Sequence, residues 1–367
     1  MCNPWGFLLA PHLSFRADEF YPSGGPDRCL VQAFEKAYRP AGRTPKIALT
    51  VVTGFCRACN PVVILRPWQR IEGFWPLGAK DACWPARPSA WKVKEESLVK
   101  KGIVYGCLPG SLPVRERLVL SKEAGLDGIE IHDFPTQKDA EEFAALASEV
   151  GLEIHSVMAG SHWELPLSST DEDVRRRGVE GIKHSLQVAK WAGAPVVLVV
   201  PGVVNDDVSY AAAYELSRKS LLELLPTAEE LGVTMLLENV WNKFLLSPLE
   251  FRDFVDSFES PFVQAYFDVG NILLYGYPHQ WIEILGPRIK RVHVKDFDVG
   301  SRQFVSLLSG SVDWARVMNA LRGIGYNSYL TVEVGPYSQF PAVFIKHIGL
   351  AMDAIVRLGT SGCGCGG

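Results

Sequence analysis

From residue 101 onward the chain keeps a rhythm that few folds can satisfy. Short β-rich runs at 103–107, 128–131, 153–157, 196–200, 234–238, 263–268, 289–294 and 329–334 alternate with longer amphipathic stretches. Those stretches lie at 115–124, 138–150, 173–192, 210–231, 248–258, 280–285, 314–324 and 341–358. Runs of this length read as buried strands, and the intervening period of 3.6 reads as helix. Helix punctuation agrees. Ser247-Pro248 places a cap before a first-turn proline, and Thr170 with Asp173 resembles a capping box. Gly125, Gly151, Gly193, Gly232 and Gly325 stand just past helical stretches. Eight βα units in about 260 residues is the count and size of an α/β (β/α)8 TIM barrel. A doubly wound sheet is the alternative, but it has fewer strands and a Gly-rich first turn. No G-x-G-x-x-G follows the first run, and no G-x-x-x-x-G-K-[ST] loop occurs.

Residues 1–97 do not share the rhythm. The first 95 residues carry 11 of the 24 prolines and 5 of the 10 tryptophans, and only 46–53 and 61–65 read as short strands. Two readings stand equal for this irregular region: an extension packed on the body, or an upstream stretch translated from a misplaced start. No function is assigned to it. The catalytic barrel is expected over 98–358, with a disordered Gly/Cys tail at 359–367 that holds Cys363 and Cys365. Cys56-Arg-Ala-Cys59 has metal or redox spacing, but no second pair follows, so these are read as unpaired thiols.

Charge narrows the function. The first 100 residues hold 14 basic and 8 acidic residues, which leaves 23 basic against 33 acidic in the rest. An acidic main body is a poor nucleic-acid binder, so no nucleic-acid partner is expected. The longest apolar run, 194–204, is broken by Pro195, Pro201 and Gly202, and no membrane span is expected. Trp5 to Ala10 is too short, and lacks the basic flank, for a signal peptide. A cytoplasmic location follows as the expectation. Assembly as a homodimer or homotetramer is left open.

In a TIM barrel the chemistry sits where the strands end. Glu238, Asp268, His293 and Glu333 stand at or next to the ends of four consecutive runs. A charged residue directly after an apolar run is costly unless it is paired or binds a metal. Singly, each reads better as a helix cap or an ion-pair partner. Together, three carboxylates and an imidazole suit one divalent metal ion: Mn²⁺, Zn²⁺, Co²⁺ or Mg²⁺.

These residues carry a resemblance. Leu237-Glu238-Asn239, Phe267-Asp268-Val269-Gly270-Asn271, His293-Val294-Lys295-Asp296 and Val332-Glu333 resemble the metal-site segments of the xylose-isomerase-like TIM-barrel superfamily of sugar isomerases and epimerases. Ser161-His162-Trp163-Glu164-Leu165-Pro166-Leu167-Ser168-Ser169 with Asp173-Val174-Arg175, and the segment Leu307-Leu308-Ser309-Gly310-Ser311-Val312-Asp313-Trp314, resemble its L-ribulose/L-xylulose-5-phosphate 3-epimerase and hexulose-6-phosphate isomerase branch. The resemblance covers about residues 101–358. It implies that Glu238, Asp268, His293 and Glu333 hold the metal, and that Glu238 and Glu333 are acid and base on opposite faces of a sugar or sugar phosphate. The reaction so implied is proton abstraction next to a carbonyl through an enediolate.

The sequence also departs from the free-ketose 3-epimerases. Asn271 stands where they have His, and Phe244 where they have Glu, so their substrate contacts do not transfer. His162, Asn271, Lys295, Trp241 and His155 are the expected substrate contacts, with His132 and Trp163 further candidates for the pocket wall. Three rivals remain. An inosose-dehydratase-like lyase would use a similar metal and base. An AP-endonuclease-like nuclease needs a His after Asp268 and an Asp-x-His after the seventh run, and both are missing. A non-catalytic sugar-binding protein would not need both glutamates.

Overall fold

The computed structural model describes residues 30–34, 51–55, 99–337 and 339–358. The chain divides into two units, Met1–Trp91 and Lys92–Gly367. In the first, β1 (Leu30–Phe34) pairs antiparallel with β2 (Val51–Phe55), Leu30 opposite Phe55. The strand expected at 46–53 overlaps β2. That at 61–65, the Cys56/Cys59 pair and the 359–367 tail lie outside the described residues.

In the second unit, eight parallel strands close into a barrel. They are β3 (Lys100–Val104), β4 (Gly128–His132), β5 (Glu153–Met158), β6 (Val196–Val199), β7 (Thr234–Glu238), β8 (Val263–Asp268), β9 (Ile289–Val294) and β12 (Tyr329–Val332), with β12 pairing both β9 and β3. Between β9 and β12, β10 (Asp296–Asp298) and β11 (Gln303–Val305) form a small antiparallel hairpin. The outer helices are α1 (Val114–Glu123), α2 (Gln137–Val150), α3 (Glu172–Ala192), α4 (Tyr210–Leu231), α5 (Pro248–Asp256), α7 (Pro278–Leu285), α8 (Trp314–Gly323) and α9 (Pro341–Arg357); α6 (Val269–Ile272) is a single turn. The (β/α)8 expectation holds.

Local chemistry sets these boundaries. Ser209 and Ser247 cap α4 and α5 by accepting the backbone N–H groups of Ala212 and Glu250. At α3 the cap is Asp171, one residue beyond Thr170; its Oδ1 accepts from the N–H groups of Asp173 and Val174. A carboxylate there also complements the positive end of the helix dipole. The first strand starts earlier than its apolar pattern suggests. Lys100 and Lys101 pair with Tyr329 and Leu330, while Tyr105–Cys107 turns off as a 3-10 helix at the rim. Two lysines, exposed Lys100 and half-buried Lys101, open the strand, so an apolar pattern does not mark its start.

Strand alternation sends every second side chain into the barrel. Val196, Leu198, Leu236 and Tyr266 form a small apolar cluster with Met158, distinct from the large core between strands and helices. One helix contact is unusually close. A Cβ on Gly349 of α9 would lie 2.1 Å from the Ala124 carbonyl oxygen just past α1. Gly349→Ala should therefore destabilise the barrel by about 1–3 kcal/mol, the usual cost of overpacking. A melting temperature unchanged within a degree would show that α9 shifts without cost. Among the described residues, no helix is long and apolar enough to cross a membrane.

Candidate metal centre

Four neighbouring strands bring the acidic and imidazole groups together. Glu238 ends β7, Asp268 ends β8, His293 lies on β9 and Glu333 follows β12. Register pairing sets Asp268 beside His293, and the Glu333 N–H still donates to the Val294 carbonyl. One potential ligand atom from each of the four lies within 4.8 Å of the others. His293 Nδ1 is 2.8 Å from Glu238 Oε1, 3.5 Å from Glu333 Oε2 and 3.9 Å from Asp268 Oδ2. Glu238, Asp268 and His293 are buried, and Glu333 faces the opening.

The site is electrostatically tense. Burial pushes the Glu238 carboxyl up to about 7, despite its hydrogen bond to His293. Burial also raises Asp268. At Glu333 burial acts in the same direction, but the charges of His293 and Lys295 outweigh it and hold this carboxyl below its ordinary value. Burial alone would pull His293 down; Glu130, Glu333 and Glu238 instead raise it well above its usual range. The Lys295 ammonium bridges the cluster, 2.5 Å from Glu333 Oε2 and 3.0 Å from Asp268 Oδ2, and these anions raise its pKa against the effect of burial. Asp268 Oδ2 is fully buried and accepts no hydrogen bond among the described residues; Lys295 is near it only as an ion-pair partner. An oxygen held only by an ion pair, beside two further carboxylates and a ring nitrogen, fits a divalent cation.

The other expected contacts divide. Lys295 joins the cluster. His162 is buried, its Nδ1 lacks a partner among the described residues, and its ring meets half-exposed Trp163 edge-on. Burial and then the neighbouring His132 hold His162 down at about 4, so it is a neutral imidazole near Glu333. Asn271 is committed to structure. Its Nδ2 donates to the Asn239 carbonyl, while its backbone N–H is received by Asp268 Oδ1. Asn239 in turn exchanges two hydrogen bonds with the Asp268 backbone. This network holds the ends of β7 and β8 together. Trp241 donates its indole N–H to the Asn271 carbonyl and stacks on Phe304, centroids 4.8 Å apart.

His155 is placed elsewhere. It is the third residue of β5 and is completely buried. Its ring stacks on Tyr329 at 4.0 Å and its carbonyl accepts from the Arg291 guanidinium. The expectation of a substrate contact is corrected accordingly: the ring fills the barrel toward the strand starts.

Three features escaped the sequence reading. Glu130, in the middle of β4, meets His293 Nε2 across the barrel at 2.8 Å. The β10–β11 hairpin places Phe304 beside Lys295, whose Nζ is 5.1 Å from the ring centre. Cys107 reaches the same opening, its thiol pushed up to about 12 by burial and then by Glu333. A buried carboxylate between two isoleucines was the available signal for Glu130; the hairpin had none beyond Phe297 and Phe304. The cavity above the cluster measures about 790 Å³ and is lined by Cys107, Lys295, Phe304, Ser306, Glu333 and Tyr337 among others. A second hollow of about 460 Å³, between α7 and α8, contains His279, Glu283 and Arg316 but no comparable donor set.

Known proteins agree with this architecture. The L-ribulose-5-phosphate 3-epimerase of Salmonella heidelberg (strain SL476) is 28% identical over 259 residues, covering 65% of this chain and 87% of that protein. Its counterpart from Escherichia coli O157:H7 is 28% identical over 251 residues, 64% and 84% of the two chains. A solved L-ribulose 3-epimerase superposes with a TM-score of 0.61 at 21% identity, covering 71% of this chain and 96% of that one. A D-psicose 3-epimerase solved in the presence of D-fructose gives 0.60 at 17% identity, covering 71% and 100%. Residues 118–349 match the family described as xylose isomerase-like TIM barrel. That match spans more than half of the sequence, and the chain belongs to the xylose isomerase-like TIM-barrel family.

Proposed function

We propose that this chain is a metal-dependent epimerase or isomerase of small sugars, acting on a ketose or ketose phosphate by proton transfer at a carbon next to the carbonyl. The observation that carries this reading is the placement of two glutamates, Glu238 and Glu333, at the two ends of one four-strand arc of donor groups beneath an open cavity. Glu238, Asp268, His293 and Glu333 would hold the cation. When bound, a divalent metal supplies Lewis-acid polarisation of the substrate carbonyl.

The rest of the chemistry belongs to the chain. Environment separates the two glutamates, with Glu238 pushed up to about 7 and Glu333 held low. The acid and base roles follow from their placement at opposite ends of the arc. One removes a proton from one face of the carbon, and the other returns a proton to the opposite face, which inverts the centre. Lys295 offsets the charge of Glu333 and Asp268. Trp241 and Phe304 form an apolar wall beside it, which limits water at the reacting carbon.

The named relatives make L-ribulose 5-phosphate the first substrate to try and L-ribulose the second. In D₂O, 3-epimerisation should place deuterium at C3, whereas aldose–ketose exchange should place it at C1 of the ketose. A dehydratase would instead release water and change the carbon skeleton's oxidation pattern. Chelation should abolish turnover, and Mn²⁺, Co²⁺ or Zn²⁺ should restore it. Full activity of the chelated, metal-free protein would overturn the reading.

A further inference from the structure

We propose that Glu130 and Tyr266 position His293, with Glu130 accepting the Nε2 hydrogen so that Nδ1 is the nitrogen presented to the three carboxylates. This rests on the reading that the cluster binds a divalent cation. Glu130 lies within the apolar sequence Gly128-Ile129-Glu130-Ile131 of β4, and its side chain is fully buried. A carboxylate in such a place is costly unless its oxygens are satisfied. Both are engaged. Oε1 is 2.8 Å from His293 Nε2, and Oε2 accepts the Tyr266 hydroxyl at 2.7 Å. The Tyr266 ring packs against the imidazole, centroids 4.3 Å apart.

The geometry selects one orientation of the ring. Nε2 faces Glu130, whereas Nδ1 faces the three carboxylates that would hold the cation, so with a cation there the lone pair would be on Nδ1 and the hydrogen would stay on Nε2, donated to Glu130. Nδ1 then points at Glu238, Glu333 and Asp268, at the 2.8, 3.5 and 3.9 Å given above. Glu130 and His293 stand on β4 and β9, strands separated in the barrel by β3 and β12. The anchor therefore comes from across the barrel rather than from the strands that supply the acidic groups. Tyr266 fixes the carboxylate that fixes the imidazole.

The test uses the full chain, stripped by a chelator and titrated with Mn²⁺ under calorimetric or electron paramagnetic resonance detection. Glu130→Gln keeps the shape and removes the charge; it should weaken Mn²⁺ binding about 10–100-fold, the usual effect of disturbing the partner of a metal-binding histidine. Tyr266→Phe should act in the same direction by less. Positioning through His293 makes a stronger demand. In a His293→Asn background, adding Glu130→Gln should change Mn²⁺ affinity by less than about twofold, because the group it orients is gone. Unchanged affinity in Glu130→Gln, or an equal loss with and without His293, would overturn the inference while leaving the metal site standing. Failure of the wild-type protein to bind Mn²⁺ stoichiometrically would overturn the metal reading and this one with it. Should Glu130→Gln not fold, Tyr266→Phe and its pair with His293→Asn make the same comparison.

Discussion

Replacing either Glu238 or Glu333 by Gln is expected to lower turnover about 10²–10⁴-fold, the typical contribution of a positioned general acid–base group. Gln keeps the side chain's length and one oxygen but cannot take up a proton. The fold should persist. Glu238 packs among buried groups as the last residue of β7, and Gln has nearly the same size and fits the same space beside His293 Nδ1. Glu333 sits beyond the end of β12, where its backbone N–H is already paired with Val294.

The two variants should also differ from each other in a way that reduced activity alone does not. If each glutamate serves one face of the substrate carbon, each variant retains a base for one epimer and lacks it for the other. In D₂O, one epimer should exchange its C3 proton with solvent in Glu238→Gln and the opposite epimer in Glu333→Gln. Nuclear magnetic resonance of the recovered sugar locates the label. Metal content should be measured alongside, because both residues belong to the donor cluster. Near-wild-type turnover in both variants with metal bound would rule out the two-carboxylate mechanism.

The barrel and its four-residue cluster were legible in sequence for one physical reason. A parallel strand buried on both faces must be almost wholly apolar, so a charged residue at its end stands out. Glu238, Asp268 and Glu333 each follow such a run, and His293 interrupts one. Order along the chain then becomes adjacency in the barrel, because β7, β8, β9 and β12 are neighbours. What sequence could not supply was depth. His155 and His293 look alike as strand histidines, yet His155 stacks on Tyr329 while His293 faces carboxylates. Depth depends on the stagger between strands, which single-strand patterns do not encode. Asn271 reads as a polar residue at a rim, and its Nδ2 donates to the Asn239 carbonyl, tying β8 to the end of β7. Glu130 lies inside a run rather than at its end, so a strand-end pattern does not mark it. Its partners, Tyr266 and His293, are 136 and 163 residues away in sequence.

Removing the Lys295 ammonium should expose how much charge this site stores. Lys295 is nearly buried and is paired with Asp268, fully buried, and with Glu333. Taking away one partner of a buried ion pair leaves uncompensated charge, at a typical cost of about 3–5 kcal/mol. Lys295→Met keeps the length and the apolar stem against Phe304 while deleting the charge. In chelated protein its melting temperature should fall by about 6–20 °C, from about 2–4 °C per kcal/mol for a domain of this size. Saturating Mn²⁺ should close most of that gap. A divalent cation among the same carboxylates replaces the lost positive charge, and it stabilises the folded state in proportion to its affinity. For the same reason Lys295→Met should bind Mn²⁺ more tightly than the wild type, since no ammonium competes for Asp268 and Glu333. Thermal scans with chelator and with Mn²⁺, run on both proteins, give all four values. A chelated variant as stable as the wild type would show that Lys295 does not balance the cluster. A gap that Mn²⁺ leaves unchanged would show that the cation does not occupy the position among Glu238, Asp268, His293 and Glu333.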